Sequence, residues 1–473
     1  MKNSGLVINP NFQLYKIPLL LVLSALAFYW AFAYDLQRWD FIKLITLYAA
    51  LCFLSYKIIA VFKGNWTILV IISVIFRLVF LIATPNLSQD FYRFIWDGRL
   101  LLADINPYLY TPTEFLNTST TTIEDSHLLF SGMGTLSAMH HTNYPPVNQA
   151  FFALASVFSG KGILGSIISL RLIIIMADLG ILYFGRKFLR YLKLPEHRIF
   201  WYVLNPFIII ELTGNLHFEG VMLFFIIASI YFLVLKKWFW AAVFLGISVS
   251  VKLLPLLFLP ILWQFLIKDI PVEKSIPEKL KLVFKGNLSG FLKPIIFYAL
   301  VIITALITFT PFFSHKFIID FLATIDLWFQ KFEFNASVYY IIRWVGFQDR
   351  GFNMIAEIGT ILPKYIFAFI VLLAFLRKNN TLRDLFAAML FAVSFYFLLS
   401  TTVHPWYLAT PLLLCIFTNY RFPLVWAAMV FLSYSAYGEN QVDENLWLVT
   451  VEYIVVLGYA VWEFNKPEKI SSS

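Results

Sequence analysis

A short stretch of the chain, residues 88–107, combines charged and aromatic side chains directly after a long apolar run. Its charged residues fall within 15 positions and are Asp90, Arg93, Asp97, Arg99 and Asp104. A carboxylate at the edge of an apolar segment can accept a proton from a hydroxyl group, because partial burial raises its pKa toward neutral pH. We predict that Asp90 is a general base, although an ordinary acid in an interfacial loop fits the pattern as well.

The other charged residues of this stretch have a different interpretation. Asp97-Gly98-Arg99 and Asn106-Pro107 are typical of turns and helix caps. Asp97 is equally suited to orient Arg93 or Arg99. We therefore predict that Arg93, Asp97 and Arg99 shape the site or contact the substrate.

Lys252 interrupts the apolar residues 248–260. A single lysine in such a run often extends its ammonium group to the membrane surface, and in isolation this explanation is the simpler one. The alternative is that Lys252 binds an anionic group, such as the phosphate of a lipid carrier. Both explanations are open at this point, and Lys252 is a candidate for binding phosphate.

A short polar loop, residues 215–219, contains His217 and Glu219. These side chains are suited to bind a sugar hydroxyl group or a metal ion, but two ligands in an H-x-E spacing are weak evidence for zinc. Polar capping of a tight helical hairpin explains the loop equally well. A divalent metal held by Asp90, Asp97 and Glu219 is an alternative that we do not favour, and no other cofactor is indicated.

Two further residues are candidates for binding phosphate. His404 precedes Trp406 and Tyr407 at the start of an apolar run. Trp and Tyr are common at membrane interfaces, whereas His404 is suited to protonate or hydrogen-bond a leaving phosphate. Arg343 is a cation in the polar segment 314–352, which we expect on the same side.

The elements that must position these residues are membrane-spanning helices. Of 473 residues, 60% are hydrophobic and 13% are charged, whereas a soluble domain has about 25% charged residues. The alternating segments of about 10 residues that are typical of a membrane β-barrel are absent. We therefore predict an all-α, polytopic membrane protein with about 14 transmembrane helices.

The expected order of the spans gives one integral-membrane domain over residues 1–473. Residues 1–84 form the first three spans, residues 85–162 an outer catalytic loop, and residues 163–473 the remaining helices. The apolar residues 147–158 are too few to cross a bilayer, so we expect a short interfacial or re-entrant helix there. Residues 238–267 are either two short helices or one broken hairpin.

Charge orients these spans. The net charge of +9 resembles that of a nucleic-acid-binding protein. However, most lysines and arginines lie in short loops, as expected for cytoplasmic loops, so we predict no nucleic-acid partner. This pattern places both termini in the cytoplasm and the polar segments described above on the outer face.

Charged residues also occur inside the predicted spans, and they are Arg77, Arg171, Asp178 and Glu211. Such residues are costly in a bilayer and need partners. Arg171 and Asp178 are seven positions apart and share one helical face, so they are expected to pair with each other or across helices. We favour structural ion pairs over a transport path.

Together these features resemble the GT-C superfamily of integral-membrane glycosyltransferases. The similarity to bacterial polyprenol-phosphate-mannose-dependent mannosyltransferases rests on residues 90–99, Asn106-Pro107-Tyr108, Tyr144-Pro145-Pro146, Lys252 with Pro255 and Pro260, and residues 404–407. One departure is the place of the acid. In the family it usually follows the first helix as one of an acidic pair, whereas Asp90 follows the third predicted helix and is preceded by Gln89.

The resemblance implies a sugar donor, most of all mannose, carried on a polyprenyl phosphate. The lipid tail would lie between helices and the phosphate near Lys252, Arg343 and His404. Asp90 would deprotonate an acceptor hydroxyl group, and one displacement would invert the anomeric carbon. The acceptor would be a glycan, glycolipid or protein at the outer face of a bacterial inner membrane, with membrane lipids around the enzyme.

Two other classes of function fit part of the pattern. A lipid or sugar transporter, or flippase, would use the intramembrane charges as a substrate path, but no repeat between halves of the chain supports it. A polysaccharide polymerase or ligase also has many spans and one large outer loop.

Overall fold

The computed structural model describes residues 10–119, 121–159, 162–267, 288–330, 332–439 and 441–466. Over these ranges the chain is almost entirely helical, and its only β-type contacts are the isolated bridges Phe334–Thr402 and Tyr437–Val442. The prediction of an all-α, polytopic membrane protein is confirmed.

The helices of the described residues are numbered here in chain order. The first eight are α1 (Pro10–Tyr34), α2 (Phe41–Phe62), α3 (Trp66–Val79), α4 (Asp90–Leu102), α5 (Pro112–Thr118), α6 (Ser126–Ala138), α7 (Pro146–Val157) and α8 (Leu164–Tyr191). The next six are α9 (Phe200–Val203), α10 (Pro206–Ile208), α11 (Glu219–Val234), α12 (Trp238–Val251), α13 (Leu259–Leu266) and α14 (Leu288–Phe309). The last seven are α15 (His315–Gln330), α16 (Val338–Arg350), α17 (Ile355–Phe375), α18 (Leu382–Leu399), α19 (Ala409–Cys415), α20 (Phe422–Met429) and α21 (Leu446–Phe464).

Seven of the described helices are long and apolar enough to cross a membrane, and they are α1, α2, α8, α14, α17, α18 and α21. An eighth candidate is a bent pair, residues 206–214 with α11. Five shorter apolar helices complete the set, at Trp66–Val79, Trp238–Val251, Leu254–Leu266, Pro405–Cys415 and Phe422–Ala436. The figure of about 14 spans stays a prediction, as does the division of the chain into three parts.

The bent pair is the element on which much of the site depends. A π-helical turn, Ile209–Gly214, continues α10, and α11 then leaves at an angle of 111°. The Arg171 guanidinium donates hydrogen bonds to the carbonyl oxygens of Thr213 at 2.8 Å and Gly214 at 2.9 Å. These are carbonyls that a broken helix leaves unpaired, and Arg171 provides their hydrogen-bond donors.

The partner of Asp178 is therefore a different arginine. Arg77 of α3 reaches Asp178 of α8 with an Nε–Oδ2 distance of 2.9 Å, and both side chains are buried. The alternative that Arg171 pairs with Asp178 is wrong, and pairing across helices is confirmed. Both arginines have structural partners, which leaves less support for a transport path.

The segment between α3 and α8 folds into four short helices. Among them, α4 packs on α6 and α7, and α7 also packs on α8 and α12. Gly98 lies in the middle of α4, where an added Cβ atom would stand 2.2 Å from the carbonyl oxygen of Phe152. The predicted turn at Asp97-Gly98-Arg99 is thus wrong, because Gly98 serves close packing of α4 on α7. The turn at Asn106 is confirmed by the 3.0 Å hydrogen bond from the Tyr108 amide to its side chain.

Two other local predictions can be compared with the structure. The short apolar run 147–158 forms α7, which begins at Pro146 as the sequence suggests. Residues 238–267 form two short helices, since α12 ends at Val251 and Lys252 is extended, with φ −149° and ψ 146°. A 3₁₀ turn, Leu254–Phe258, then leads into α13.

Candidate active site

Asp90 is the first residue of α4 and is half-buried. The Tyr144 hydroxyl group donates a long hydrogen bond, 3.5 Å, to its Oδ2 atom. Burial raises the pKa of Asp90, and the positive charges of Lys252 and Arg38 together with the Tyr144 hydrogen bond oppose part of that effect. The N-terminus of α4 also favours the charged form. Asp90 therefore has the environment of a carboxylate poised to accept a proton.

The residues just before Asp90 are fixed to three other parts of the chain. The Asn86 side chain donates to the carbonyl oxygen of Phe32 at 2.7 Å. The Leu87 amide donates to Asn215 Oδ1 at 3.1 Å, and Gln89 Nε2 donates to the carbonyl oxygen of Met133 at 3.0 Å. Asp90 is thus held between α1, the break of the bent pair and α6.

Lys252 forms an ion pair with buried Glu219, the first residue of α11. Its ammonium group also lies 5.9 Å from the centre of the Tyr407 ring. The extended conformation at Lys252 is stabilised nearby by a 2.8 Å hydrogen bond from Asn148 of α7 to the carbonyl oxygen of Val251. The lysine is therefore directed into the protein, and the explanation that it extends to the membrane surface is wrong.

His217 and His404 sandwich the indole of Trp406. The ring centres of His217 and Trp406 are 3.7 Å apart, and those of His404 and Trp406 are 4.6 Å apart, with nearly parallel planes in both pairs. Burial, with the charges of Arg38 and Lys252, lowers the pKa of His404 to about 3. Its imidazole is therefore neutral at pH 7 and suited to hydrogen-bond a phosphate, whereas the protonating role has no support in this environment.

Arg38 is a site residue that the sequence did not indicate. It lies in the loop between α1 and α2, and its guanidinium carbon stands 3.2 Å from the centre of the Tyr437 ring. Its positive charge acts on Asp90 and His404. The one signal in the sequence is an arginine in a short loop predicted to be on the outer side, where basic residues are less expected.

The site also concentrates buried polar atoms that have no hydrogen-bond partner among the described residues. They are Arg38 Nε, Glu211 Oε2, His217 Nε2, Glu219 Oε2 and His404 Nδ1. His217 Nε2 and Glu211 Oε2 are 3.9 Å apart, which is too long for a hydrogen bond. Because buried polar atoms are rarely left unpaired, this cluster is typical of a site that a polar ligand completes.

Arg93, Asp97 and Arg99 are buried and already have protein partners. Arg93 Nε lies 2.8 Å from Asp97 Oδ1, and Gln149 Nε2 donates to Asp97 Oδ2 at 2.9 Å. Arg99 pairs with Asp125 at 3.0 Å. These contacts tie the helices around Asp90 together, which fits the expected role of shaping the site. Direct contact with substrate stays a prediction.

Arg343 belongs to a neighbouring polar cluster. It pairs with Glu333 and lies over the Tyr340 ring at 4.3 Å. The link to the site is Phe334, whose ring centre is 5.2 Å from that of His404. The structure thus brings Asp90, His217, Glu219, Lys252 and His404 into one site with Arg38, and leaves Arg343 beside it.

An apolar cavity of about 290 Å³ is lined partly by residues close in sequence to the site. Its wall includes Leu256, Leu257, Pro260, Ile366, Leu399 and Thr401. Leu256 follows Lys252 by four residues and Thr401 precedes His404 by three, so the polar site and the cavity share two segments of the chain. The described residues contain no group of three or more His, Cys, Asp or Glu side chains arranged to hold a metal ion.

Comparisons with known proteins agree on one kind of enzyme. Residues 40–268 match the family described as alpha-(1->6)-mannopyranosyltransferase, N-terminal domain. Residues 213–464, more than half of the chain, match the family described as mannosyltransferase (PIG-M). Alpha-(1->6)-mannopyranosyltransferase B of Corynebacterium glutamicum is 25% identical over 151 residues, which is 32% of this chain and 24% of that relative. The similarity therefore spans about a quarter of the relative's length.

Proposed function

Because the chain belongs to the mannosyltransferase (PIG-M) family, we propose that it transfers a mannosyl group from a polyprenyl monophosphate to an acceptor hydroxyl group. The observation that carries this proposal is the arrangement of one half-buried carboxylate, Asp90, with two cations, Lys252 and Arg38, beside an apolar cavity. The carboxylate suits a hydroxyl acceptor, the cations suit a phosphate, and the cavity suits a lipid.

Asp90 acts as the general base in this proposal. Its carboxylate takes the proton of the acceptor hydroxyl group as that oxygen attacks the anomeric carbon of the mannosyl group. The bond from the anomeric carbon to the phosphate oxygen breaks in the same step, so the configuration inverts. The raised pKa of Asp90 makes its carboxylate a stronger base than an exposed aspartate.

The leaving group is the polyprenyl monophosphate, which gains negative charge as the bond breaks. Lys252 supplies a positive charge held in place by Glu219. Neutral His404 supplies a ring nitrogen, Nδ1, that has no protein partner. Preorganised groups of this kind stabilise a charge that develops in the transition state, because they need no rearrangement as it forms.

The apolar cavity accounts for the lipid part of the donor. Its volume of about 290 Å³ is at the small end of the range for ligand cavities, about 300–1,000 Å³. It therefore fits the isoprene units nearest the phosphate, with the rest of the chain lying among the membrane lipids. Leu256, Leu399 and Ile366 lie on three different segments of its wall.

We place this reaction at the outer face of a bacterial inner membrane, with both termini in the cytoplasm. The distribution of lysine and arginine among the loops supports this orientation. The acceptor is a glycan, a glycolipid or a protein, each of which offers hydroxyl groups at that face.

Asp90→Asn is the variant that tests the proposed base. Asparagine keeps the size of the side chain but cannot take the proton, so transfer should fall about 100-fold or more. The measurement is mannose transfer from a polyprenyl-phosphate mannose by the purified full chain. Asp104→Asn, an exposed acid of the same segment, is the matched control and should keep wild-type activity. Full transfer by Asp90→Asn would remove Asp90 from the mechanism.

The same experiment separates the alternative functions. A flippase would move lipid across the membrane without forming a new glycosidic bond, whereas Asp90→Asn in a transferase should still insert and bind the lipid. A polymerase or ligase would lengthen or attach a preformed glycan and would not add single mannosyl groups.

A further inference from the structure

We infer that Arg38 is the principal ligand for the phosphate group of the lipid-linked donor, with His404 beside it. This inference rests on the proposed function and assigns the phosphate to one of its two cations. Lys252 then has a secondary role, because its charge is already compensated by Glu219.

Arg38 is the cation of the site that lacks a carboxylate partner among the described residues. The two acidic residues near it in the chain, Asp35 and Asp40, both contact Lys43. The Lys43 ammonium group pairs with Asp35 at 2.7 Å, and the Lys43 backbone amide donates a hydrogen bond to Asp40 at 3.2 Å. By contrast, Lys252 pairs with Glu219. The Nε atom of Arg38 is buried and has no hydrogen-bond partner. Leaving a charged donor unpaired in such a place is costly, and an anion would remove that cost.

Tyr437 fixes the plane of the Arg38 guanidinium. The guanidinium carbon lies over the Tyr437 ring, 3.2 Å from the ring centre. The Tyr437 ring is itself packed against Phe334, with ring centres 5.8 Å apart. A stacked guanidinium keeps its N–H groups at its edge, where they can donate two parallel hydrogen bonds to phosphate oxygens.

Arg38 acts on the two residues between which we propose that the phosphate binds, Asp90 and His404. Its charge acts on both Asp90 and His404, as does that of Lys252, although the two cations are more than 200 residues apart in the sequence. The unpartnered His404 Nδ1 atom offers a further hydrogen bond. A phosphate bound there is next to the proposed base, as an inverting displacement requires.

The test is a binding measurement on the purified full chain in detergent with geranylgeranyl monophosphate as the probe. Arg38→Gln should raise its dissociation constant about 10- to 100-fold, as expected for loss of charge-assisted hydrogen bonds. Arg38→Lys should give an intermediate value because lysine keeps the charge and loses the paired geometry. Arg350→Gln, an exposed arginine of α16, is the control and should bind as the wild type does.

Two further ligands separate loss of phosphate binding from loss of the fold. Geranylgeraniol, which has no phosphate, should bind wild type and Arg38→Gln equally. If Arg38 only supported the fold, geranylgeraniol would bind Arg38→Gln more weakly as well, and that result would overturn the inference. Inorganic phosphate should compete far more weakly than the lipid phosphate. Equal affinity of the two phosphates would overturn the assignment to a lipid headgroup.

Unchanged affinity of Arg38→Gln for geranylgeranyl monophosphate would overturn the inference. If Arg38→Gln does not fold, Arg38→Lys tests the inference instead. An affinity of Arg38→Lys equal to that of the wild type would exclude the paired hydrogen bonds. Failure of the proposed function looks different. In that case, the lipid phosphate would bind through Arg38, yet the wild-type chain would transfer no mannose.

Discussion

At the level of single residues, Asp90 is a base whose strength is set by opposing effects. Burial raises its pKa, while Lys252, Arg38 and Tyr144 oppose that rise. Glu219 pairs with Lys252, so its negative charge offsets part of the effect of the lysine on Asp90. The pH dependence of transfer should therefore report on this group of residues.

The acidic limb of the pH profile is the measurable consequence. Asp90 must be ionised to act, so kcat/KM should fall as the pH drops through its raised pKa, at a higher pH than for an ordinary aspartate. Lys252→Gln removes a charge that lowers this pKa and leaves Glu219 unpaired. Both changes should move the limb to still higher pH.

Normalised pH profiles of wild type and Lys252→Gln would show this shift, with Arg350→Gln as a control that leaves the limb in place. A limb that stays fixed, or moves to lower pH, would mean that Lys252 does not act on the base. Loss of overall activity alone does not decide this point, because Lys252 is also proposed to bind phosphate.

Most candidate site residues were predicted from their types, but their partners were not. Lys252 and His404 stand out beside apolar runs, and Asp90 is the first charged residue after one, so the sequence indicates them directly. Arg38 does not stand out, because a loop arginine is ordinary and its significance depends on Tyr437, about 400 residues away. The stack of His217 on Trp406 could not be predicted for the same reason, because these two residues are also far apart in the sequence.

At the level of helices, the site depends on two breaks and one close contact. The bent pair places His217 and Glu219, and the end of α12 places Lys252. The contact of α4 with α7 at Gly98 sets the position of Asp90. Breaks were predicted at both places from polar residues within apolar runs. The contact was missed because glycine was interpreted as a turn signal, while its role depends on tertiary packing.

Gly98→Ala tests the close contact. The added methyl group would stand 2.2 Å from the Phe152 carbonyl oxygen, so α4 must move away from α7. We expect a loss of about 1–3 kcal/mol in the free energy of unfolding, with reduced transfer because Asp90 moves with α4. Thermal unfolding in detergent measures the first effect.

Gly64→Ala is the matched control, because no atom lies within 4 Å of the added Cβ atom there. It should leave both the unfolding temperature and transfer near the wild-type values. A Gly98→Ala protein as stable and active as Gly64→Ala would show that α4 and α7 are not as tightly packed as described.

At the level of the whole molecule, residues far apart in sequence form one site. Arg38, Asp90, His217, Lys252 and His404 lie on five separate segments of the chain. The charge pattern predicts that these segments share one side of the membrane, and their contacts are compatible with that arrangement. Which side they share stays a prediction.

The two family matches cover overlapping parts of the chain, residues 40–268 and residues 213–464. Together they confirm the resemblance to GT-C glycosyltransferases of the mannosyltransferase kind. They overlap over residues 213–268, the region that holds the bent pair and Lys252. The class of enzyme could thus be expected from motifs, while the sugar, the donor and the acceptor of this chain depend on the proposals above.

The central claim is that a lipid-linked sugar, and not a nucleotide sugar, is the donor. In the most direct measurement, membranes that contain the full chain are incubated with one sugar donor at a time, and the products are identified by mass spectrometry. The donors are polyprenyl-phosphate mannose, the corresponding glucose, galactose and arabinose compounds, and GDP-mannose. We predict mannose transfer from the polyprenyl phosphate, none from GDP-mannose, and loss of the product with Asp90→Asn. Transfer from GDP-mannose, in membranes without polyprenyl-phosphate mannose, would contradict the claim.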